Sequence, residues 1–83
     1  MPEQIHRQTV TAANGVMFKA PRTITFDYQP KRHDLSVWYR SGDTDLVDYM
    51  VVNTGMNLPA GAELVATVIT DGFYAYHLVR VQP

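Results

Sequence analysis

The residues that bring reactive chemistry into this chain are few, and His77 is the most conspicuous. It lies in Tyr74-Ala75-Tyr76-His77-Leu78-Val79-Arg80. Strand alternation places Phe73, Ala75, His77, Val79 and Val81 on one face and Tyr74, Tyr76, Leu78 and Arg80 on the other. An imidazole among apolar neighbours is either a base or ligand contact, or a core histidine whose nitrogens are bonded to backbone or to a hydroxyl. No nucleophile or orienting acid stands at a recognisable spacing, so the core reading is the expectation. The opposite face, with Tyr74, Tyr76 and Arg80, holds residue types that dominate interface hot spots and is the expected partner-binding surface.

Asp43, Asp45 and Asp48 form an acidic cluster of the kind that hard cations prefer. The glycine and the closing acid of an EF-hand loop are missing, so these are expected to be turn residues. His6 and His33 have no partner at ligand spacing, and no metal or cofactor is expected. Lys31 and Arg32, followed by Trp38, resemble a basic groove with an aromatic platform for single-stranded nucleic acid. The adjacent Asp34 and a net charge of −1 argue against that use. The segment from Thr54 to Ala62 contains Gly55, Pro59 and Gly61, which exclude a regular helix or central strand. Its Met56 and Leu58 are expected to pack the loop down. Backbone amides near Gly55 and Gly61, with Thr54 and His77, would then suit phosphate oxygens in a ligand site between subunits. There is no phosphate-binding glycine loop, no Ser or Cys nucleophile motif and no scaffolded carboxylate pair, so a non-enzymatic protein is expected.

The elements that must hold these residues are strands. Eighty-three residues make a single domain spanning 1–83, too small for a large enclosed active site. Cysteine is absent, leaving an apolar core, extended or not by homo-oligomerisation, as the source of stability. The N-terminal residues have no apolar signal region, and no stretch has the length of a membrane span; a cytoplasmic, non-membrane protein is the expectation. Charge divides along the chain, about +3 over residues 1–42 and about −4 over 43–83. Antiparallel pairing is expected to interleave the two halves.

Alternation with period two predicts an all-β fold, a small antiparallel barrel or sandwich of six to seven short strands. The strands are expected at 5–11, 16–19, 22–28, 35–40, 46–53, 63–70 and 73–81. Ile24, Phe26 and Tyr28 share one face of the third; Leu35, Val37 and Tyr39 oppose Trp38 in the fourth; Val47, Tyr49 and Val51 oppose Asp48, Met50 and Val52 in the fifth. Asp71-Gly72 predicts a two-residue hairpin loop between the last two strands, and Asn14-Gly15 a hairpin between the first two.

Four stretches, Leu35-Ser-Val-Trp38, Tyr49-Met-Val-Val-Asn-Thr54-Gly55, Leu64-Val-Ala-Thr67-Val and Gly72-Phe-Tyr-Ala-Tyr-His77-Leu, together resemble a family of short phage- and prophage-encoded proteins of unassigned activity. The resemblance covers residues 16 to 81. The family has a proline-glycine turn where this chain has Pro21-Arg22-Thr23, a departure at the third strand. The resemblance marks Trp38, Thr54, Gly55, Thr67 and His77, and implies a phage accessory protein. It leads to the expectation of a binder that inhibits a host protein machine, such as a CRISPR effector, in the host cytoplasm. The alternatives are an oligomeric module sequestering a nucleotide signal through Thr54, Gly55, Gly61 and His77, and a single-strand binder using Lys31, Arg32 and Trp38.

Overall fold

The structure, a computed structural model, describes residues 2–70, 72 and 74–81. Seven strands follow in order: β1 (Ile5–Thr11), β2 (Met17–Pro21), β3 (Thr25–Gln29), β4 (Asp34–Arg40), β5 (Leu46–Asn53), β6 (Glu63–Ile69) and β7 (Ala75–Val81). They form a three-stranded antiparallel sheet, β1-β4-β3, and a four-stranded one, β2-β5-β7-β6. The all-β reading holds, and the architecture is a sandwich. β3 lies against β6 on one side, but no ladder joins them, so the barrel is not closed. No helix among the described residues is long and apolar enough to cross a membrane.

The core is the alternation made physical. Leu35 and Val37 from β4, Tyr49 and Val51 from β5 and Leu78 from β7 are completely buried between the sheets. Each such aliphatic side chain contributes about 1.5–3 kcal/mol. Ile24, Phe26 and Tyr28 pack against them, as the period-two pattern requires. Tyr49 is buried by stacking on Phe18, with centroids 5.3 Å apart. Its hydroxyl donates to the carbonyl oxygens of Pro21, at 2.6 Å, and Arg22, at 3.1 Å. Burial raises the phenol's pKa above its ordinary value, opposed by the nearby Arg80 guanidinium.

The first expected hairpin does not form. β1 pairs with β4 and β2 with β5, so Asn14-Gly15 turns a corner between sheets. Gly15, at a φ of 85°, donates its N–H to the Val51 carbonyl, and the Val51 N–H donates to Val16. Asn14 Oδ1 accepts the Asn53 N–H at 2.9 Å. The chain leaving β1 is thus captured by β5, which already offers a free ladder edge. The third strand is also shorter than expected: Arg22 donates its backbone N–H to Asp45 and ion-pairs with the same residue, holding 21–24 at the second corner. Pro21, which has no N–H, falls on the edge strand β2, where proline is tolerated.

β6 and β7 form the expected antiparallel pair. Ile69 faces Ala75 and the Thr70 N–H donates to the Tyr74 carbonyl at 2.8 Å, leaving three residues rather than two for the reversal. Asp71 and Phe73, on which the expected loop and part of the face assignment rested, lie outside the described residues. The charged halves interleave as expected, through Lys19 with Asp48 and Arg22 with Asp45.

Candidate functional site

The two faces of β7 are the reverse of the sequence expectation. Leu78 belongs to the central core and Tyr76 packs against it, so the Tyr76-Leu78-Arg80 face is the inner one. His77 and Val79 lie on the outer face of the four-stranded sheet, opposite Val52 and Met50 of β5. The pattern misled because the outer face carries its own apolar residues. β5 and β6 are both antiparallel to β7, hence parallel to each other, and residues 54–62 must cross β7 to connect them. The crossing accounts for Val52 and Val79 being at most 2% exposed on the non-core face.

His77 fastens that crossing. Its Nε2 lies 2.9 Å from Thr54 Oγ1 at the loop's start, and its Nδ1 lies 2.8 Å from Thr67 Oγ1 on β6. Thr67 reaches this position through a bulge. The ladder steps from Leu64 opposite Val79 to Ala66 opposite Leu78, with Val65 as the additional residue, so Thr67 comes to face His77. Without the bulge, strict alternation would place Ala66 there. Three of the positions marked by the resemblance therefore meet in space. The hydroxyl-bonded histidine agrees with the sequence expectation, but its setting is a half-buried outer surface. With both nitrogens engaged, the imidazole has no free lone pair aimed at solvent.

The crossing loop is built from two glycine turns. The Met56 N–H donates to the Asn53 carbonyl and the Ala62 N–H to the Pro59 carbonyl. Gly55 (φ 86°) and Gly61 (φ 74°) occupy the third positions, where a type II turn requires positive φ. Met56 and Leu58 are exposed and do not pack the loop down as expected. Their apolar surface points outward with Leu64 and Ile69, while buried Val52 and Val79 lie on the sheet beneath.

Tyr74, Tyr76 and Arg80 do not form one surface. Tyr74 is 67% exposed and lines, with Tyr76, Tyr28 and His33, a cleft of about 360 Å³ at one end of the sandwich. His33, in the β3–β4 turn, adopts a left-handed φ of 54°, and its Nδ1 is 3.1 Å from the Tyr28 hydroxyl. Arg80 lies toward the other end of β7, its side chain 14% exposed. It donates to Glu63 and to the Arg22 carbonyl and sits over the Tyr49 ring. Its guanidinium is a brace between corner, core and edge strand.

Lys31 and Arg32 are exposed in the β3–β4 turn, while Trp38 is on the outer face of β4 toward its far end. The three do not line one groove. Trp38 is instead paired with Arg7 of β1, whose guanidinium carbon lies 5.6 Å from the ring centroid. In the acidic cluster, Asp45 holds Arg22, Asp48 holds Lys19 and Asp43 accepts the Asp45 N–H. Among the described residues no group of three metal-ligating side chains converges. Sequence reasoning missed Tyr28 and His33, which are close to each other in sequence but remote from Tyr74 and Tyr76, which they meet, and Arg7, which reaches Trp38 from β1. Comparison with protein families, curated proteins and solved structures returns no match.

Proposed function

We propose that this protein is a non-enzymatic binder, a phage-type accessory factor that inhibits a host protein machine by occupying one of its surfaces. The observation that carries the reading is the cleft at the sandwich end. Tyr28, Tyr74 and Tyr76 converge there with His33, and Tyr74 projects from its rim. Rigid aromatic walls around an open hollow suit a protruding side chain of a partner protein, the arrangement in which hot-spot energy concentrates. The engagement of both His77 nitrogens by threonines supports a structural use of the imidazole over a catalytic one. A bacterial defence complex such as a CRISPR effector is the target class this reading favours. Co-purification from a bacterial host tests it: a stoichiometric protein partner is expected with the natural chain and is lost with Tyr74→Ala. Recovery of no partner, with the biological effect intact in Tyr74→Ala, would end the proposal.

A second reading is an oligomeric module that sequesters a nucleotide signal through Thr54, Gly55, Gly61 and His77. It is favoured by the open space around Gly55, where an added Cβ would meet nothing within 4 Å. Exposed Leu64 and Ile69 give a second copy something to cover. Mass spectrometry of denatured protein would then release a ligand, and native mass spectrometry would show more than one chain.

A further inference from the structure

We propose that a second cleft, beside Trp38, binds a small primary amine on an aromatic body, of the arylethylamine class, in its ammonium form. The site is separate from the tyrosine cleft and does not depend on it. It measures about 280 Å³ and opens where the start of β3 meets the end of β4. Ile5, Ile24, Trp38 and Tyr39 supply apolar surface and Thr23 and Thr25 hydroxyls, while Arg40 and Asp43 are the charged groups of the lining. Mostly apolar walls with a few polar groups are the usual construction of small-molecule sites. The volume falls just under their usual lower limit of roughly 300 Å³, which suits one ring with a short chain. An indole and a phenol give such a ring a surface to lie against.

The ammonium follows from the charges of the lining itself. Arg40, its one cation, is already paired with Glu3. Asp43 is not paired. Its neighbours Asp45 and Asp48 hold Arg22 and Lys19, whereas Asp43 has no cationic partner among the described residues. Its Oδ1 accepts the Asp45 N–H at a long 3.4 Å, and its Oδ2 takes no hydrogen bond from the described residues. The residue is half-buried in the same cleft as the indole, a setting in which a charge is costly unless paired. An ammonium carries three N–H donors, and the lining offers acceptors to match them, the Asp43 carboxylate and the Thr23 and Thr25 hydroxyls. The fold ties these groups together. The Asp43 N–H donates to the Arg40 carbonyl at 3.1 Å, and Arg22 joins the corner bearing Thr23 to the loop bearing Asp43 through the backbone and side chain of Asp45. Arg7 lies over the Trp38 ring but does not line the cleft; in the two ladders Arg7 and Thr25 flank the indole from opposite sides. With a cation already at the indole, the ligand's ring meets Trp38 and its ammonium meets Asp43.

Trp38 is the sole tryptophan, so its fluorescence reports on this site alone. The full chain would be titrated with phenethylamine, its neutral analogue phenethyl alcohol, the anion hydrocinnamate and the ringless butylamine. A saturable change is expected with phenethylamine, binding about tenfold weaker with the alcohol, as loss of a charge-assisted hydrogen bond implies, and none with hydrocinnamate or butylamine. Asp43→Asn keeps an oxygen for the Asp45 N–H and should leave folding intact; it is expected to reduce phenethylamine to the level of the alcohol. Trp38→Phe, followed by calorimetry with circular dichroism as the folding control, is expected to weaken the amine and the alcohol alike. No saturable response to millimolar phenethylamine would overturn the proposal. So would equal affinity for the amine and the alcohol that is unmoved by Asp43→Asn. Butylamine binding as tightly as phenethylamine would overturn the aromatic ligand and replace it with the lysine side chain of a protein partner.

Discussion

Thr67 and His77 stand opposite each other on neighbouring strands, Oγ1 to Nδ1 at 2.8 Å, only because Val65 is bulged out of the ladder between them and Leu64. The bulge thus changes which side chain of β6 meets the imidazole, and the imidazole in turn holds Thr54. One irregularity in an edge strand thereby anchors a loop belonging to the strand two positions away. Replacing Thr67 by Val should cost about 1 kcal/mol, the net worth of one hydrogen bond. In a His77→Phe background the same substitution should cost close to nothing. Urea unfolding of the four-member cycle measures the coupling; additive losses would show that the two side chains act independently.

Tyr49 sets an alkaline limit on stability. Burial raises its folded pKa above the ordinary 10.0, which the unfolded chain retains. Above that pH the unfolded state releases the proton while the folded state keeps it, so ionisation favours unfolding. Tyr49's contribution is complete below the unfolded value and is lost as pH rises through the folded one. Thermal melts of Tyr49→Phe should start about 1 kcal/mol lower, from loss of the hydrogen bond to Pro21, and decline less steeply above the ordinary tyrosine pKa.

Arg80 and Tyr74 should separate stability from recognition. Arg80→Ala removes packing over Tyr49 and two hydrogen-bond partners, and should cost about 2 kcal/mol. Tyr74→Ala, at an exposed site, should change unfolding by no more than about 0.5 kcal/mol while abolishing capture of a protein partner. Chemical denaturation and co-purification on the same two proteins give both readings.

Gly55→Ala should destabilise by about 1 kcal/mol although its Cβ would touch nothing, because the cost is the positive φ itself. Asn at this position should recover part of the loss, since it tolerates the left-handed region. An unchanged midpoint for Gly55→Ala would mean that the turn relaxes to another conformation.

Most of the fold is legible in the sequence because most of its strands are amphipathic. Ile24, Phe26 and Tyr28, or Val47, Tyr49 and Val51, give their faces away by period two, and the strand positions follow. The β7 faces were not legible. Val79 is covered on the outer face by a crossing connection, so apolar residues occur on both sides and alternation cannot say which points to the core. The Asn14-Gly15 turn is real but joins different sheets, a distinction that depends on the edge of β5 and not on turn chemistry. Of the candidate sites, the Thr54–His77 contact was partly readable as a shared list of residues. Thr67's role required the bulge, and the Tyr28, His33 and Arg7 contributions required strand order, which no local pattern encodes.

The position of β7 also sets a timetable. It lies between β5 and β6, both of which emerge from the ribosome before it. Until residues 75–81 are available, β6 has no strand to pair with and β5 has only β2. The four-stranded sheet is consequently assembled after translation of its middle, with Val51, Val52 and Val68 exposed to other chains in the meantime. Newly made protein should be most vulnerable to aggregation and most dependent on chaperones during that interval, and truncation before residue 75 should leave a chain that cannot close its core.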